Sequence, residues 1–350
     1  MKRNEFLIRI FTLINTATIA FSSDAFEKKI EIRLDKENYS MEKVKERTQI
    51  NHICYAHAAS DMVDSVRFFY LKDIRYNLRT SPLALSIMHS TQGKDGISYA
   101  KSNFFEFGQI CASVKTAFKY GIKDFKEIDK IVFDLSVPDK NNLKEHWNNV
   151  KLLTPQEQAQ TRDIFNDFFE DILENYKKMA KENITYRKMG YGPYLNTWLA
   201  ILSPKTYSLK IFQKKFPECK REDTKNKFKD RTFKIYSIIT EYFTKNSKEK
   251  LFPIGLDFCE RFLNTGLVGR IGEQTRPTKS TIDCDRHAVT IVGYRVLKNA
   301  KGGEVDEVLI KNSRPCSFMH SSFECKDSKV WVPLKELLLS SMSIHYFPKS

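Results

Sequence analysis

Cys54, His287 and Asn312 are, in chain order, a thiol, an imidazole and an amide. Brought together in space, the three can move an acyl group. A thiol is mostly protonated at neutral pH and attacks carbonyls poorly, so it needs a lowered pKa or a base. A helix N-terminus offers partial positive charge and unpaired N–H groups, which favour the thiolate. A neighbouring imidazole takes the proton, giving a thiolate–imidazolium pair, and later hands it to the leaving group. An amide oxygen that accepts from the other ring nitrogen holds the imidazole in one orientation, the role expected of Asn312. Gln49 stands just upstream of the thiol in "TQINHICYAHAAS". It is the candidate to donate its side-chain amide to an oxyanion, beside the backbone N–H of Cys54. One such donor is commonly worth ~3–4 kcal/mol of transition-state stabilisation.

Two kinds of element must position these groups. After Cys54, apolar residues recur at three- and four-residue steps through Ala56, Ala59, Met62, Val63, Val66 and Phe69. That period predicts an amphipathic helix with Cys54 in its first turn. Far downstream, "HAVTIVGYRV" and "DEVLIKNS" are short apolar runs on either side of the turn-rich "LKNAKGG". They read as an antiparallel hairpin. An unbulged hairpin centred between Asn299 and Ala300 sets His287 opposite Asn312 on one sheet edge. His52 and His57 lie near the thiol, and Asp283 and Asp285 precede His287. They are lesser candidates for base and orienter. The histidines and cysteines lack metal-ligand spacing, and no cofactor is expected.

The 350 residues can bury one large core or two modest ones, and 41% hydrophobic content places the chain among folded proteins. With 58 basic against 43 acidic side chains, the +15 charge favours anionic partners such as an acidic protein or peptide substrate. The lysines are spread through helical segments, and no phosphate-cradling glycine loop appears, so a specific nucleic-acid partner is not expected. Residues 1–23 have a basic start at Lys2 and Arg3, an apolar run from Ile10 to Phe21, and small residues at Ala20 and Ser22. This is the layout of a secretory signal, and the run is short for a membrane span. A secreted or periplasmic monomer follows as the expectation. Seven cysteines suit that compartment and leave one thiol over, assigned to Cys54. Nearness along the chain favours Cys259 with Cys284 and Cys316 with Cys325 as bridges.

The organisation divides at composition changes: 24–124 reads as a helical lobe, 125–250 as a basic helical insertion and 251–350 as a sheet-rich lobe. In the insertion, Thr154-Pro155-Gln156-Glu157 is a capping box opening a long helix that runs on through Ile172, Leu173 and Tyr176. "NKFKDRTFKIYSIITEYFTKN" repeats the pattern with Phe233, Tyr236, Ile239 and Phe243 as its apolar face.

The set Gln49, Cys54-Tyr55-Ala56, His287-Ala288-Val289 running into "TIVGY", and Asn312-Ser313 after "VLIK" resembles the papain-like cysteine peptidases. Weaker agreement lies in "LFPIGLDFCERFL" and "KVWVPLKELL", so the resemblance spans roughly 45–122 and 251–347. It implies an α+β fold of a helical and a sheet-rich lobe meeting at a cleft, and peptide hydrolysis through a thioester. Its catalytic residues would be Cys54, His287, Asn312 and Gln49. The sequence departs from the family in four places. Gln49 is one residue closer to the nucleophile than usual; His52 stands where a glycine is customary; Arg314 replaces the tryptophan after Asn312-Ser313; and the stretch before Gln49 is too short for a folded inhibitory propeptide. Two other classes remain open. One is a non-catalytic binding protein of the same fold, argued from His52 and Arg314. The other is a transglutaminase-like acyl transferase, whose third member is usually acidic, against which Asn312 speaks.

Overall fold

The computed structural model describes residues 27–44, 49, 53–71, 78–92, 108–128, 170–189, 191–210, 218–223, 228–246, 251–260, 263, 286–298, 302–314, 316, 319 and 323–348. The expected signal, His52, Asp283, Cys284, Asp285 and the capping box at 154–157 lie outside them. The architecture is α+β, helices together with one antiparallel sheet.

The helix predicted after Cys54 is α1 (Cys54–Leu71), followed by α2 (Pro82–Gln92) and α3 (Ile110–Tyr120). It is not amphipathic in the expected sense, since every residue from Tyr55 to Phe68 is buried. Small residues at 56, 58 and 59 let other elements approach it closely. Its buried charges are matched: Arg67 Nη1 donates to Asp64 Oδ1 at 2.9 Å, and Thr80 Oγ1 donates to the same oxygen at 2.6 Å.

Eight strands make the sheet: β1 (Glu27–Arg33), β2 (Lys220–Asp223), β3 (Ile254–Cys259), β4 (Arg286–Lys298), β5 (Glu304–Lys311), β6 (Cys325–Lys326), β7 (Lys329–Pro333) and β8 (Ser341–Tyr346). Their order is β2-β8-β3-β4-β5-β7-β6, with β1 also on β4. The long β4 is the hub, paired antiparallel with β1, β3 and β5. Gly293 sits where β1 and β5 close on it, and a Cβ there would lie 2.9 Å from Ile32 O and 3.0 Å from Leu309 Cβ. The β4–β5 register shifts between Ile291 and Gly293 at this crowded point.

Two apolar cores form. One gathers α1, α2 and α3 with Ile172, Leu173, Leu195 and Leu199; the other gathers the sheet with α6 (Phe228–Lys245) and α7 (Leu334–Ser340). Ala288 belongs to the first and Val289 to the second, since successive strand residues face opposite sides. The region 125–250 therefore contributes to both cores through its described helices, among them α4 (Ile184–Met189) and α5 (Tyr191–Leu202), and adds the edge strand β2.

The apolar face of α6 is rotated from the expected one. Ile235, Ile239, Tyr242 and Phe243 are buried, whereas Phe233 is 73% exposed. Phe243 stacks on Tyr294 of β4 with ring centroids 5.9 Å apart. The sheet selects the face that meets it, and Phe233 lies outside that arc. Among the described residues no helix is long and apolar enough to cross a membrane. Two bridges are described, Cys111–Cys219 and Cys316–Cys325, the second as expected from sequence. Cys259 is also disulfide-bonded, with its partner outside the described residues. The α3-to-β2 bridge was not among the pairs favoured by nearness, because it joins cysteines 108 residues apart.

In denaturant unfolding, Ile239→Ala is expected to cost about 2–4 kcal/mol. Phe233→Ser should change stability by less than about 0.5 kcal/mol, as at other exposed positions.

Candidate active site

Cys54 is the first residue of α1 and the one free cysteine among the described residues. His287 is the second residue of β4, and Asn312 follows the last residue of β5. The hairpin register is not the expected one. Its tip pair is Lys298↔Glu304 and its last pair is Thr290↔Lys311, so the turn lies further along and the bulge shifts the strands back by one. Asn312 thus leaves the ladder just past Thr290↔Lys311, level with Val289 and two residues from His287 along β4. The side chains close the gap diagonally: His287 Nε2 and Asn312 Oδ1 are 2.7 Å apart.

That contact fixes the tautomer. An amide oxygen can only accept, so Nε2 carries the hydrogen, and in the neutral ring the lone pair is on Nδ1. Asn312 is itself held by donating its N–H to Ser328 O at 2.8 Å. Its Oδ1 also accepts the N–H of Arg314 at 3.1 Å. Ser328 belongs to the two-residue turn between β6 and β7, where Asp327 and Ser328 have φ of 54° and 56°. Such paired positive φ values fit the right-handed twist of a tight hairpin. Both His287 and Asn312 are buried, and the imidazole meets the Phe258 ring edge-on at 5.9 Å between centroids.

The thiol reaches the same strand. The backbone N–H of Ala288, next to His287, faces the Cys54 sulfur, as does the N–H of Tyr55 in the first turn of α1. Burial pushes the Cys54 thiol up to about 12; the Ala288 N–H, the Arg314 charge and the Tyr55 N–H pull against it, and the Asp257 carboxylate adds to it. The helix terminus was expected to favour a thiolate at rest, but loss of water around the sulfur outweighs it. A sulfur so placed stays protonated at neutral pH until a base takes its proton.

Gln49 is buried beside the residue that follows Asn312. Its N–H donates to Ser313 O at 2.7 Å, and Ser313 Oγ donates to Gln49 Oε1 at 2.7 Å. With the carbonyl side engaged, the amide plane is set and the Nε2 hydrogens face away from Ser313. The shortened spacing to Cys54 has not taken Gln49 away from the Asn312 loop.

Several polar groups near these residues gave no clear signal in the sequence. Arg314, where the resembled family has tryptophan, pairs Nη1 with Glu260 Oε1 at 3.0 Å. Asp257 Oδ2 accepts from Ser343 Oγ at 2.6 Å and from His345 Nε2 at 2.8 Å, while His345 Nδ1 accepts the Cys111 N–H at 3.3 Å. Burial would raise the Asp257 carboxyl, but the hydrogen bonds from His345 and Ser343 bring it below its ordinary value. The available signals were weak: a single acid inside the apolar "LFPIGLDFC", and His345 at an alternate position of the last strand. His57 is buried in α1. Among the described residues no group of three or more His, Cys, Asp or Glu side chains is disposed to hold a metal. A groove lined by Arg221, Glu222, Asp223, Lys234 and Ile235 shares no residue with this site, and its charges pair with one another.

No family model matches the chain, and a search of curated proteins finds no match either.

Iodoacetamide labelling near pH 7, followed by peptide mapping, should modify Cys54 in the native protein and more than about tenfold more slowly in His287→Ala. Without its base the sulfur titrates as an isolated buried thiol. Labelling of that variant should then rise about tenfold per pH unit toward the thiol's value of about 12.

Proposed function

We propose that the protein is an exported thiol hydrolase of papain-like architecture that cleaves peptide bonds in protein or peptide substrates. The observation that carries this reading is the Ala288 N–H on the Cys54 sulfur, one residue from an imidazole whose Nε2–H is engaged by Asn312. Two disulfides among the described residues suit an oxidising compartment.

In this mechanism Cys54 Sγ attacks the scissile carbonyl carbon as His287 Nδ1 takes its proton. The burial that keeps the resting thiol neutral makes that transfer obligatory. The oxyanion is met by Gln49 Nε2–H and the Cys54 backbone N–H. Collapse of the tetrahedral species breaks the C–N bond, and the imidazolium gives its proton to the departing amine. A water that loses its proton to Nδ1 then cleaves the thioester, releasing the acid product and restoring the thiol. Asn312 Oδ1 keeps Nε2–H engaged throughout, so the ring does not flip between steps. Arg314, which stands where the resembled family has a tryptophan, pairs with Glu260.

Hydrolysis of a fluorescently labelled unfolded protein should vanish in Cys54→Ala and fall by about 10²–10³ in kcat in Gln49→Ala, the value of one oxyanion donor. Turnover that survives Cys54→Ala overturns the reading. Turnover that requires an added primary amine identifies an acyl transferase instead.

A further inference from the structure

The nucleophile helix is docked on the hairpin at a second polar point, seven residues and two turns after Cys54. Asp61 Oδ2 accepts from Lys311 Nζ at 2.6 Å and from Thr290 Oγ1 at 3.3 Å. Both charged side chains are nearly inaccessible, 8% exposed for Asp61 and 5% for Lys311. Thr290 and Lys311 are cross-strand partners, the last pair of the β4–β5 ladder, and Lys311 directly precedes Asn312.

The spacing makes the two contacts act together. Residues seven apart share one helix face, and residues two apart share one strand face. The Ala288 side chain packs in the core with α1 and Thr290 meets Asp61, so α1 lies on that face of β4, while Cys54 at the helix start lies against the Ala288 N–H beside His287. Beside these two points that helix face carries the small Ala58 and the buried His57 and Ser65, and apolar packing of the rest of the helix comes from Ala56, Ala59, Met62 and Val63. Apolar packing is non-directional and tolerates a roll or a slide of the helix. A hydrogen-bonded ion pair does not.

We propose that Asp61 and Lys311 are positioning residues: their pair fixes the roll of α1 on the hairpin so that the Cys54 sulfur meets the His287 lone pair. The inference rests on the hydrolase reading above. Stability alone is a poor account of the pair, because a buried ion pair is commonly matched or exceeded by apolar residues of similar volume. The same carboxylate also meets both strands that deliver the other catalytic groups, β4 through Thr290 and β5 through Lys311.

The test compares Asp61→Leu/Lys311→Met with the native protein by thermal melting, by the pH profile of Cys54 alkylation with iodoacetamide, and by steady-state hydrolysis. The expected result is a near-native melting temperature, kcat and neutral-pH alkylation lowered by about tenfold or more, and an unchanged KM. A folded double variant with native alkylation rate and pH profile overturns the proposal. If that variant melts early, Lys311→Arg against Lys311→Met decides. The Arg variant keeps a cation on Asp61 and should retain the alkylation rate that the Met variant loses, whereas equal loss in both overturns it. Failure of the hydrolase reading looks different: native Cys54 then alkylates no faster than Cys54 in His287→Ala.

Discussion

Helix α1 has no solvent face along most of its length, and a helix placed that way must satisfy its polar side chains by contacts with the rest of the protein. It finds such contacts at three levels, while Ser60 Oγ has none. The Cys54 sulfur takes the Ala288 N–H, Asp61 takes Lys311 and Thr290, and Asp64 takes Arg67 and Thr80. Each match reaches a different part of the chain, so the axial position and roll of α1 are set by chemistry as well as by shape. The geometry around the thiol follows from where this helix comes to rest on β4.

Around that contact the other groups are tied to one another more tightly than to the solvent. Asn312 is fixed through the Ser328 turn, Gln49 through Ser313, and Arg314 through Glu260. The Cys316–Cys325 bridge pins the segment that follows them. The electrostatics are mixed. Asp257 opposes a negative sulfur, while Arg314 and two backbone N–H groups favour it.

Much of this was legible in the sequence where it depended on local period. The run after Cys54 gave its helix, and the apolar runs around 287–298 and 304–311 gave their hairpin, because spacing of apolar residues reports the face that is buried. What depended on partners distant in sequence was not legible. The hairpin register moved because the turn sits further along and because Gly293 is crowded between Ile32 and Leu309. The buried face of α6 is chosen by Tyr294 and its neighbours on the sheet, so Phe233 was read inward when it points out. Strand β2 is a run of four charged residues that pairs only because β8 presents an open edge. The pairings of Glu260 with Arg314 and of Asp257 with His345 join segments dozens of residues apart, and composition carries no trace of them.

The wide separation along the chain between the sulfur and its proton acceptor has a biosynthetic meaning. During synthesis residues 54–71 emerge long before residues 286–312, so His287 and Asn312 reach the thiol only late. Long-range strand pairing forms slowly compared with a local helix. On the proposed reading, the groups that act on the thiol come together only when β4 and β5 pair.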